Sequence, residues 1–454
     1  MRAVNQRIAV AVALCLAARA APAQTPGPSD TALRRRVQLG AALADVPDTA
    51  AARGLPRGAR VVSTVPASAA ATAGLQTNDI IIHIGTDTVR SVADALRAVR
   101  NLTAGAHTSL TFVRGGVVRS TGILAPERAR ETAADFDIVY TAVAAPGGRR
   151  RVLVTHPRDS GRHPTILLIG GIGCYSIDQA AGVNAYRDLM YHFARRGYAT
   201  VRVEKAGVGD SEGGPCLSTD FETELAGYRA ALVAARQYPW VDPAHIYLFG
   251  HSIGGIEAPI LAGESVPAPP VHGVIVLSTV GIGWYEYELA NLRHQLEMQH
   301  LPPDSVERDM SLKVTCGFRF LIERQSRADL LTQHPDCKPF VAYPASDAYM
   351  QQVAAHSPAL AWSGVTGGVL VLWGASDFIT SRPEHIELTD AINGEHPGAA
   401  TFAEIPELDH YLSRHPSQDA SLSDTTAALS RPYYGATLEP VVDAWLERQT
   451  GASE

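Results

Sequence analysis

From about residue 136 onward, short apolar runs alternate with longer segments of helical patterning. Short runs of apolar and β-branched residues bounded by turn residues are typical of buried strands. Strands that alternate with helices favour a mostly parallel sheet with helices on both faces. The predicted strands are DIVYTAVA, RRVLVTHP, TILLIGG, ATVRVEK, HIYLFG, GVIVLST, GVLVLWG and ATFAEIP.

The connection between the sixth and seventh predicted strands, about residues 281–363, is far longer than an ordinary loop. Its pattern is mainly helical, and it is rich in His, Arg and aromatic residues. We therefore expect a cap that is inserted between two strands of the sheet.

Residues 37–125 have a different pattern, in which short β-branched runs are separated by turn signals. This pattern predicts a small β-rich domain ahead of the large sheet. The stretch TPGPSD indicates a linker at 24–36, and the charged, Ala-rich APERARETAAD indicates a second linker at 126–135. The sheet domain is then expected to cover 136–450.

The N-terminus predicts a secretory signal peptide over residues 1–23. MRAVNQR carries two arginines, IAVAVALCLAA is apolar but too short to span a bilayer, and APAQ has small residues for cleavage. The alternative is a buried core helix. Cys15 lacks the preceding small residue that a lipoprotein signal requires. We expect an exported protein, periplasmic or secreted, with no stable membrane anchor.

Composition narrows the classes of function. The chain has 454 residues, of which 46% are hydrophobic, and its net charge of -7 is spread along the sequence. No basic stripe would follow a phosphate backbone, so nucleic-acid binding is disfavoured. The 16 histidines are scattered, and neither His-Glu-x-x-His nor a dinucleotide fingerprint occurs. We expect neither a metal nor a cofactor.

Two copies of Gly-x-Ser-x-Gly supply candidate nucleophiles, Ser211 in KAGVGDSEGG and Ser252 in LFGHSIGG. The motif presents a serine when a buried strand enters it and a helix leaves it. Ser211 lacks this context, because its strand ends several residues earlier and Pro215 and glycines oppose a following helix. Ser252 has it, although Pro259 should kink the helix or shift its first turn. We predict Ser252 as the nucleophile and backbone capping for Ser211.

A serine hydroxyl needs an imidazole base, and the imidazole needs a carboxylate that holds its tautomer. Asp377 follows GVLVLWG, and His410 follows ATFAEIP. Alternatively, Asp377 only caps a turn and His410 is an ordinary surface or core histidine. Asp409 is expected to be solvated. The order Ser252, Asp377, His410, each after a strand, predicts a catalytic triad.

Residues 136–447 together resemble an α/β-hydrolase of the exported esterase/peptidase kind. The resemblance implies a mostly parallel eight-stranded sheet with a helical cap insertion, and a structural glycine-rich turn after the fourth strand. It also implies an oxyanion hole formed by the backbone N–H of Ile253 and that of Gly171 or Ile172 in GGIGCYS.

The stretch VPASAAATAGLQTNDIIIHIGTDTV resembles a PDZ domain of the bacterial exported type. In that family a peptide C-terminus adds as a strand, and backbone N–H groups of a loop hold its carboxylate. VQLGAAL takes the place of this loop, so Leu39, Gly40 and Ala41 are the candidate carboxylate-binding positions. The alternative is a degenerate domain that is packed against its neighbour as a spacer.

Four cysteines remain after the signal, and an even number permits disulfides in an exported protein. The third and fourth strands are neighbours in the α/β-hydrolase fold, so the resemblance implies a Cys174–Cys216 bond that braces the oxyanion loop. A Cys316–Cys337 bond would then lie within the cap. The alternative is two pairs of free, buried thiols.

These features predict a serine hydrolase that cleaves carboxylic esters through an acyl-enzyme. Trp284, Tyr285 and Tyr287 line a pocket for an apolar group or, equally well, belong to the cap core. One alternative is a peptidase acting on the ends of short peptides, which a PDZ domain would suit. An alternative of another class is an inactive hydrolase that serves as the scaffold of a peptide-binding adaptor.

Overall fold

The structure, a computed structural model, describes residues 33–47, 50, 54–66, 68–264, 270–426 and 431–451. The predicted signal peptide at 1–23 lies outside the described residues. Within the described part of the chain, no helix combines the length and the apolar character needed to cross a bilayer.

The N-terminal domain is β-rich, as predicted. Its elements are Ala41–Asp45 (β1), Ala59–Thr64 (β2), Ala69–Thr72 (α1), Ile80–Ile84 (β3), Asp87–Thr88 (β4), Val92–Asn101 (α2), His107–Arg114 (β5) and Val117–Leu124 (β6). The strand order is β1-β2-β3-β5-β6, with β4 beside β3. Strand β1 is therefore an edge strand, and α2 packs against β1, β2 and β3.

The large domain is built on eight strands, which confirms the predicted sheet. They are Phe136–Ala145 (β7), Gly148–Pro157 (β8), His163–Ile169 (β9), Ala199–Val203 (β10), Val241–His251 (β11), Gly273–Leu277 (β12), Gly368–Gly374 (β13) and Ala400–Ile405 (β14). Their order is β14-β13-β12-β11-β9-β10-β8-β7. Only β8 runs antiparallel to its neighbours, β7 and β10. The six strands from β9 to β14 are parallel, so the loops after them meet at one edge.

Helices cover both faces of this sheet. Those outside the cap are Ala185–Arg195 (α3), Phe221–Ala235 (α4) and Gly254–Gly263 (α5), then, beyond the cap, Arg382–Glu395 (α11), Gln418–Ser423 (α12) and Glu439–Gln449 (α13). Successive strand residues enter opposite cores: Val274 and Val276 pack on one face, and Ile275 and Leu277 on the other. Burial on both faces explains why the strands are continuous apolar runs instead of alternating ones.

The predicted cap region is helical. Its helices are Trp284–Met298 (α6), Pro303–Gly317 (α7), Arg327–Gln333 (α8), Asp347–Ala355 (α9) and Pro358–Ser363 (α10), with a π-helical turn at Phe318–Ile322 and a 3-10 turn at Pro335–Phe340. A disulfide joins Cys316 to Cys337. Phe320 and Met350 of the cap share one buried cluster with residues of α4 and α5, so the cap is packed onto the sheet domain.

The two segments that were predicted as linkers are packed, in their described parts, against the large domain. Arg35 is 2% exposed, and its guanidinium pairs with Asp178 and Asp210 of the large domain. Glu131 is 4% exposed and pairs with Arg202 of β10. Oppositely charged side chains that are buried in the large domain hold these two segments in place.

Candidate active site

Ser252 occupies the turn between β11 and α5. Its φ of 55° lies in the left-handed region, and its N–H donates to the Leu277 carbonyl at 3.0 Å. A Cβ on Gly254 would lie 2.2 Å from the Ile169 carbonyl oxygen, and a Cβ on Gly250 would lie 2.4 Å from that of Gly254. The flanking glycines therefore allow the sharp turn of a nucleophile elbow, which lifts the hydroxyl above the sheet edge.

The structure brings the three predicted triad residues together. His410 Nε2 lies 3.1 Å from Ser252 Oγ, and His410 Nδ1 lies 2.9 Å from Asp377 Oδ2. Asp377 follows β13 and His410 follows β14, and these parallel strands are neighbours. Because Nδ1–H donates to the carboxylate, Nε2 is the atom that faces the serine as an acceptor.

Asp377 is fully buried yet strongly hydrogen-bonded. It accepts from the N–H groups of Ile379 and Thr380 at 2.7 and 3.0 Å, and from Thr380 Oγ1 at 2.7 Å. Burial alone would raise the pKa of Asp377, but His410 and Thr380 together hold that pKa well below its usual value. The residue thus caps its turn and remains an ionised partner for the imidazole.

Asp409 is buried, so its predicted solvation is wrong. It is 1% exposed and accepts hydrogen bonds from the N–H groups of Tyr411 and Ser413, from Ser421 Oγ and from Arg431. These donors come partly from residues that are distant in sequence. Asp409 therefore shapes the loop that carries His410.

Three backbone N–H groups were candidates for the oxyanion hole. That of Gly171 donates to Tyr186 Oη at 2.9 Å, so it is already engaged. Those of Ile172 and Ile253 have no backbone acceptor among the described residues. A Cβ on Gly171 would lie 3.3 Å from Ser252 Cβ, so this loop adjoins Ser252. The geometry favours Ile172 over Gly171 as the partner of Ile253.

Two residues that the sequence did not single out connect the oxyanion loop to the histidine loop. The Tyr186 hydroxyl donates to His251 Nδ1 at 2.6 Å, and His251 Nε2–H donates to the His410 carbonyl at 2.9 Å. Burial lowers the pKa of His251 to about 3, so this ring is neutral. The one available signal was the position of His251 beside Ser252 in the motif.

Ser211, the other motif serine, is fully buried. Its Oγ donates to the Glu204 carbonyl and accepts from Arg151 N–H, both at 2.9 Å. The Ser211 hydroxyl thus uses both its proton and its acceptor capacity in hydrogen bonds to the backbone. Ser211 thus has the capping contacts that its local sequence predicted.

A disulfide joins Cys174 to Cys216. Cys174 lies in the loop that follows β9, and Cys216 follows the turn that contains Ser211. The bond therefore ties the candidate oxyanion loop to the glycine-rich turn.

The three aromatic residues at the start of the cap occupy different environments. Trp284 and Tyr287 are buried in the cluster that includes Ile253, and the Tyr287 hydroxyl donates at 3.2 Å to the carbonyl of Ile379, two residues after Asp377. The Tyr285 hydroxyl donates to a carbonyl of α7 at 2.9 Å, so Tyr285 belongs to the packing of the cap itself.

The N-terminal domain presents the predicted carboxylate loop at the start of its edge strand. Gly40 has φ of 75°, and a Cβ there would lie 2.3 Å from Ser68 Cβ. The N–H groups of Leu39 and Gly40 have no backbone acceptor among the described residues, whereas Ala41 pairs with Thr64 of β2.

No cluster of three or more His, Cys, Asp or Glu side chains with metal-site geometry occurs in the described ranges. The sheet edge brings together a hydroxyl, an imidazole, a carboxylate and two N–H groups that have no backbone acceptor in the part of the chain that the structure describes.

A family model described as "Serine aminopeptidase, S33" matches residues 180–416, which is more than half of the chain. The chain belongs to the S33 serine aminopeptidase family. A PDZ-domain model matches residues 37–124. The chain therefore has the α/β-hydrolase fold of a serine hydrolase family, preceded by a PDZ domain, as the sequence resemblance implied.

Among curated proteins, this S33 family member is 24% identical over 166 residues to esterase EstD of Thermotoga maritima and 29% identical over 141 residues to esterase FrsA of Salmonella typhi. These alignments cover 33% and 29% of this chain, and 40% and 32% of those proteins. A solved structure, carboxyl esterase 2 of Tuber melanosporum, is 14% identical with a TM-score of 0.43, covering 72% of this chain and 89% of that one.

Proposed function

We propose that this protein hydrolyses carboxylic esters with Ser252 as nucleophile, His410 as general base and Asp377 as the residue that orients His410. The observation that carries the proposal is the continuous contact from Asp377 Oδ2 to His410 Nδ1, 2.9 Å, and from His410 Nε2 to Ser252 Oγ, 3.1 Å. Both distances suit proton transfer in a triad.

In the proposed reaction, His410 Nε2 takes the proton of Ser252 as Oγ attacks the ester carbonyl. The N–H groups of Ile253 and Ile172 receive the negative charge that develops on the carbonyl oxygen. His410 then protonates the leaving alcohol, and an acyl-enzyme remains. Water attacks this ester in the second half, His410 accepts its proton, and the acid leaves with Ser252 restored.

Ester preference is supported by the two curated relatives, both of which are named as esterases. Buried Trp284 and Tyr287 at the base of the cap are suited to an apolar acyl or alcohol group. A panel of p-nitrophenyl esters measured beside aminoacyl and dipeptidyl amides tests the proposal. Efficient amide cleavage with negligible ester turnover would overturn the ester assignment.

Peptidase activity on short peptides is the second candidate. It is favoured by the family description and by the adjoining PDZ domain, which belongs to a class that holds peptide ends. Fluorophosphonate labelling separates both enzymes from an inactive adaptor, since an adaptor would not react.

The PDZ domain is proposed to bind a peptide C-terminus along β1, with the carboxylate at Leu39, Gly40 and Ala41. Support comes from the exposed edge of β1 and the unpaired N–H groups of Leu39 and Gly40. A peptide with a free C-terminus should bind, and its C-terminal amide should not, in a fluorescence anisotropy titration. Equal binding of both would exclude this mode.

Export is proposed from the N-terminal pattern and from the two disulfides, which persist in oxidising compartments. Cell fractionation with N-terminal sequencing of the mature protein tests it, and a cytoplasmic protein that retains residues 1–23 would contradict it.

A further inference from the structure

Lys205 is one of only three lysines in the chain. It follows β10, and its side chain is 5% exposed. Its Nζ donates to the Gly171 carbonyl at 2.6 Å, and the Tyr175 hydroxyl donates to the same oxygen at 2.7 Å. Two donors, one of them cationic, thus hold a single carbonyl of the candidate oxyanion loop.

This carbonyl belongs to the peptide that carries the Ile172 N–H. A trans peptide is planar, and its C=O and N–H point in opposite directions. Donors that fix the Gly171 oxygen therefore also fix the direction of the Ile172 N–H. The Gly171 N–H is held independently by Tyr186, so the peptide planes on both sides of Gly171 are restrained.

Lys205 is itself held by a buried acid. Its Nζ lies 2.8 Å from Glu224 Oε1 of α4, and the hydroxyl of Tyr349, from cap helix α9, donates to that oxygen at 2.9 Å. Glu257 of α5 is also fully buried nearby, and burial raises its pKa far above the usual value. The ion-pair partner of Lys205 is therefore Glu224.

We propose that Lys205 is a positioning residue of the oxyanion hole, which holds the Gly171 carbonyl so that the Ile172 N–H faces the developing oxyanion. The lysine cation also polarises this peptide, which makes its N–H a stronger donor. The inference rests on the proposed Ser252 mechanism. It assigns Lys205 no contact with substrate, so its loss affects the transition state more than substrate binding.

The test compares wild type with Lys205→Met/Glu224→Gln, which removes the ion pair without leaving a buried unpaired charge. We expect kcat on a p-nitrophenyl ester to fall roughly 10- to 100-fold. This decrease is smaller than the decrease expected when an oxyanion-hole donor is removed altogether. KM should stay within about twofold. The inhibition constant of phenylboronic acid, which adds to serine as a tetrahedral anion, should rise by the same factor as kcat falls.

A second buried lysine supplies the matched control. Lys313 of the cap is 6% exposed, pairs with Glu288, and also binds a carbonyl, that of Phe340, and a tyrosine hydroxyl, that of Tyr343. The variant Lys313→Met/Glu288→Gln removes an equivalent ion pair away from Gly171. It should leave kcat and the boronic acid constant within about twofold of wild type.

If the Lys205 variant folds with wild-type kcat and boronic acid affinity, the proposal is wrong. If it does not fold, Tyr175→Phe decides, because it removes the other donor to the same carbonyl. That variant should lower kcat severalfold at constant KM, and an unchanged kcat would overturn the proposal. Failure of the proposed Ser252 mechanism would give a different result from failure of the Lys205 proposal, because the Ser252→Ala variant would then remain active.

Discussion

The turns around Ser211 and Ser252 carry the same five-residue pattern but hold their hydroxyls differently. Ser211 is fully buried, and its Oγ is occupied by two backbone groups. Ser252 is partly exposed, has φ of 55°, and directs its Oγ at an imidazole. The same Gly-x-Ser-x-Gly pattern therefore gives a serine that caps the backbone at Ser211 and a candidate nucleophile at Ser252.

The elements on either side explain the difference. Ser252 is inserted directly between a buried parallel strand and a helix, so its turn lies at the edge where the loops after β13 and β14 converge. Ser211 lies within a glycine-rich turn whose carbonyls and N–H groups need internal partners. Strand and helix context, and not the motif, decides which serine can meet a base.

Replacing each serine with alanine should give the largest difference in kcat between the two turns. Ser252→Ala is expected to lower kcat by about 10⁴-fold or more, because no other group can form the acyl-enzyme. Ser211→Ala should retain kcat within about threefold while the free energy of unfolding falls by about 1–3 kcal/mol, since Arg151 N–H loses its acceptor. Steady-state kinetics and urea unfolding measure both. Loss of activity in the Ser211 variant alone would reverse the comparison.

Substitutions of a carboxylate near each serine, Asp377 near Ser252 and Asp210 near Ser211, should also affect activity and stability differently. Asp377→Asn is expected to lower kcat by about 10⁴-fold, because the amide no longer holds the required histidine tautomer. Asp210→Asn, beside Ser211, weakens the ion pairs with Arg35 and Arg151 and should lower stability with little change in kcat. Equal kinetic losses in both variants would contradict the assignment.

The disulfide between Cys174 and Cys216 ties the Ser211 turn to the candidate oxyanion loop, which adjoins Ser252. Replacing both cysteines with serine should lower the free energy of unfolding by about 2–4 kcal/mol, and should also lower kcat severalfold as the oxyanion loop loosens. The Cys316→Ser/Cys337→Ser control, in the cap, should lower stability and leave kcat within about twofold. A kcat that falls only in the control would refute the bracing role.

A smaller effect is expected in the pH dependence of stability. Burial raises the pKa of Glu204, whose carbonyl binds Ser211, to about 7. The folded state therefore holds an extra proton between about pH 4.5 and 7. Through this group the free energy of unfolding falls as pH rises across that window.

Glu204→Gln should remove this slope in urea unfolding at pH 5, 6, 7 and 8. Asp377 should affect the pH dependence in the opposite sense, because its pKa is lowered in the folded state. Its contribution to the free energy of unfolding is therefore lost only as the pH falls into the acid range. An unchanged slope in the Gln variant would show that Glu204 does not titrate in this range.

The parallel sheet, the cap and the proximity of Ser252, Asp377 and His410 were predictable because each has a local signal: a buried apolar run, an overlong connection, or a polar residue just after a strand. The oxyanion register was left open between Gly171 and Ile172, because it depends on Tyr186, which takes up one of the two N–H groups. That contact is tertiary and has no sequence pattern.

Charged residues account for the errors. Asp409 is predicted to be solvated, because charges are usually exposed, and the segment with Arg35 is predicted only as a linker. Their partners, Arg431 and Asp178, lie 22 and 143 residues away in sequence. The sequence indicates Lys205 only as part of a glycine-rich turn, since its contact with the candidate oxyanion loop depends on β9 and β10 being neighbours.

The central claim is that Ser252 forms the covalent bond to substrate, and locating an inhibitor adduct tests it most directly. The protein is treated with a fluorophosphonate, digested, and analysed by mass spectrometry, with the Ser211→Ala and Ser252→Ala variants in parallel. The account predicts a single adduct on Ser252 in wild type and in Ser211→Ala, and none in Ser252→Ala. An adduct on Ser211, or labelling of Ser252→Ala at the wild-type rate, would contradict it.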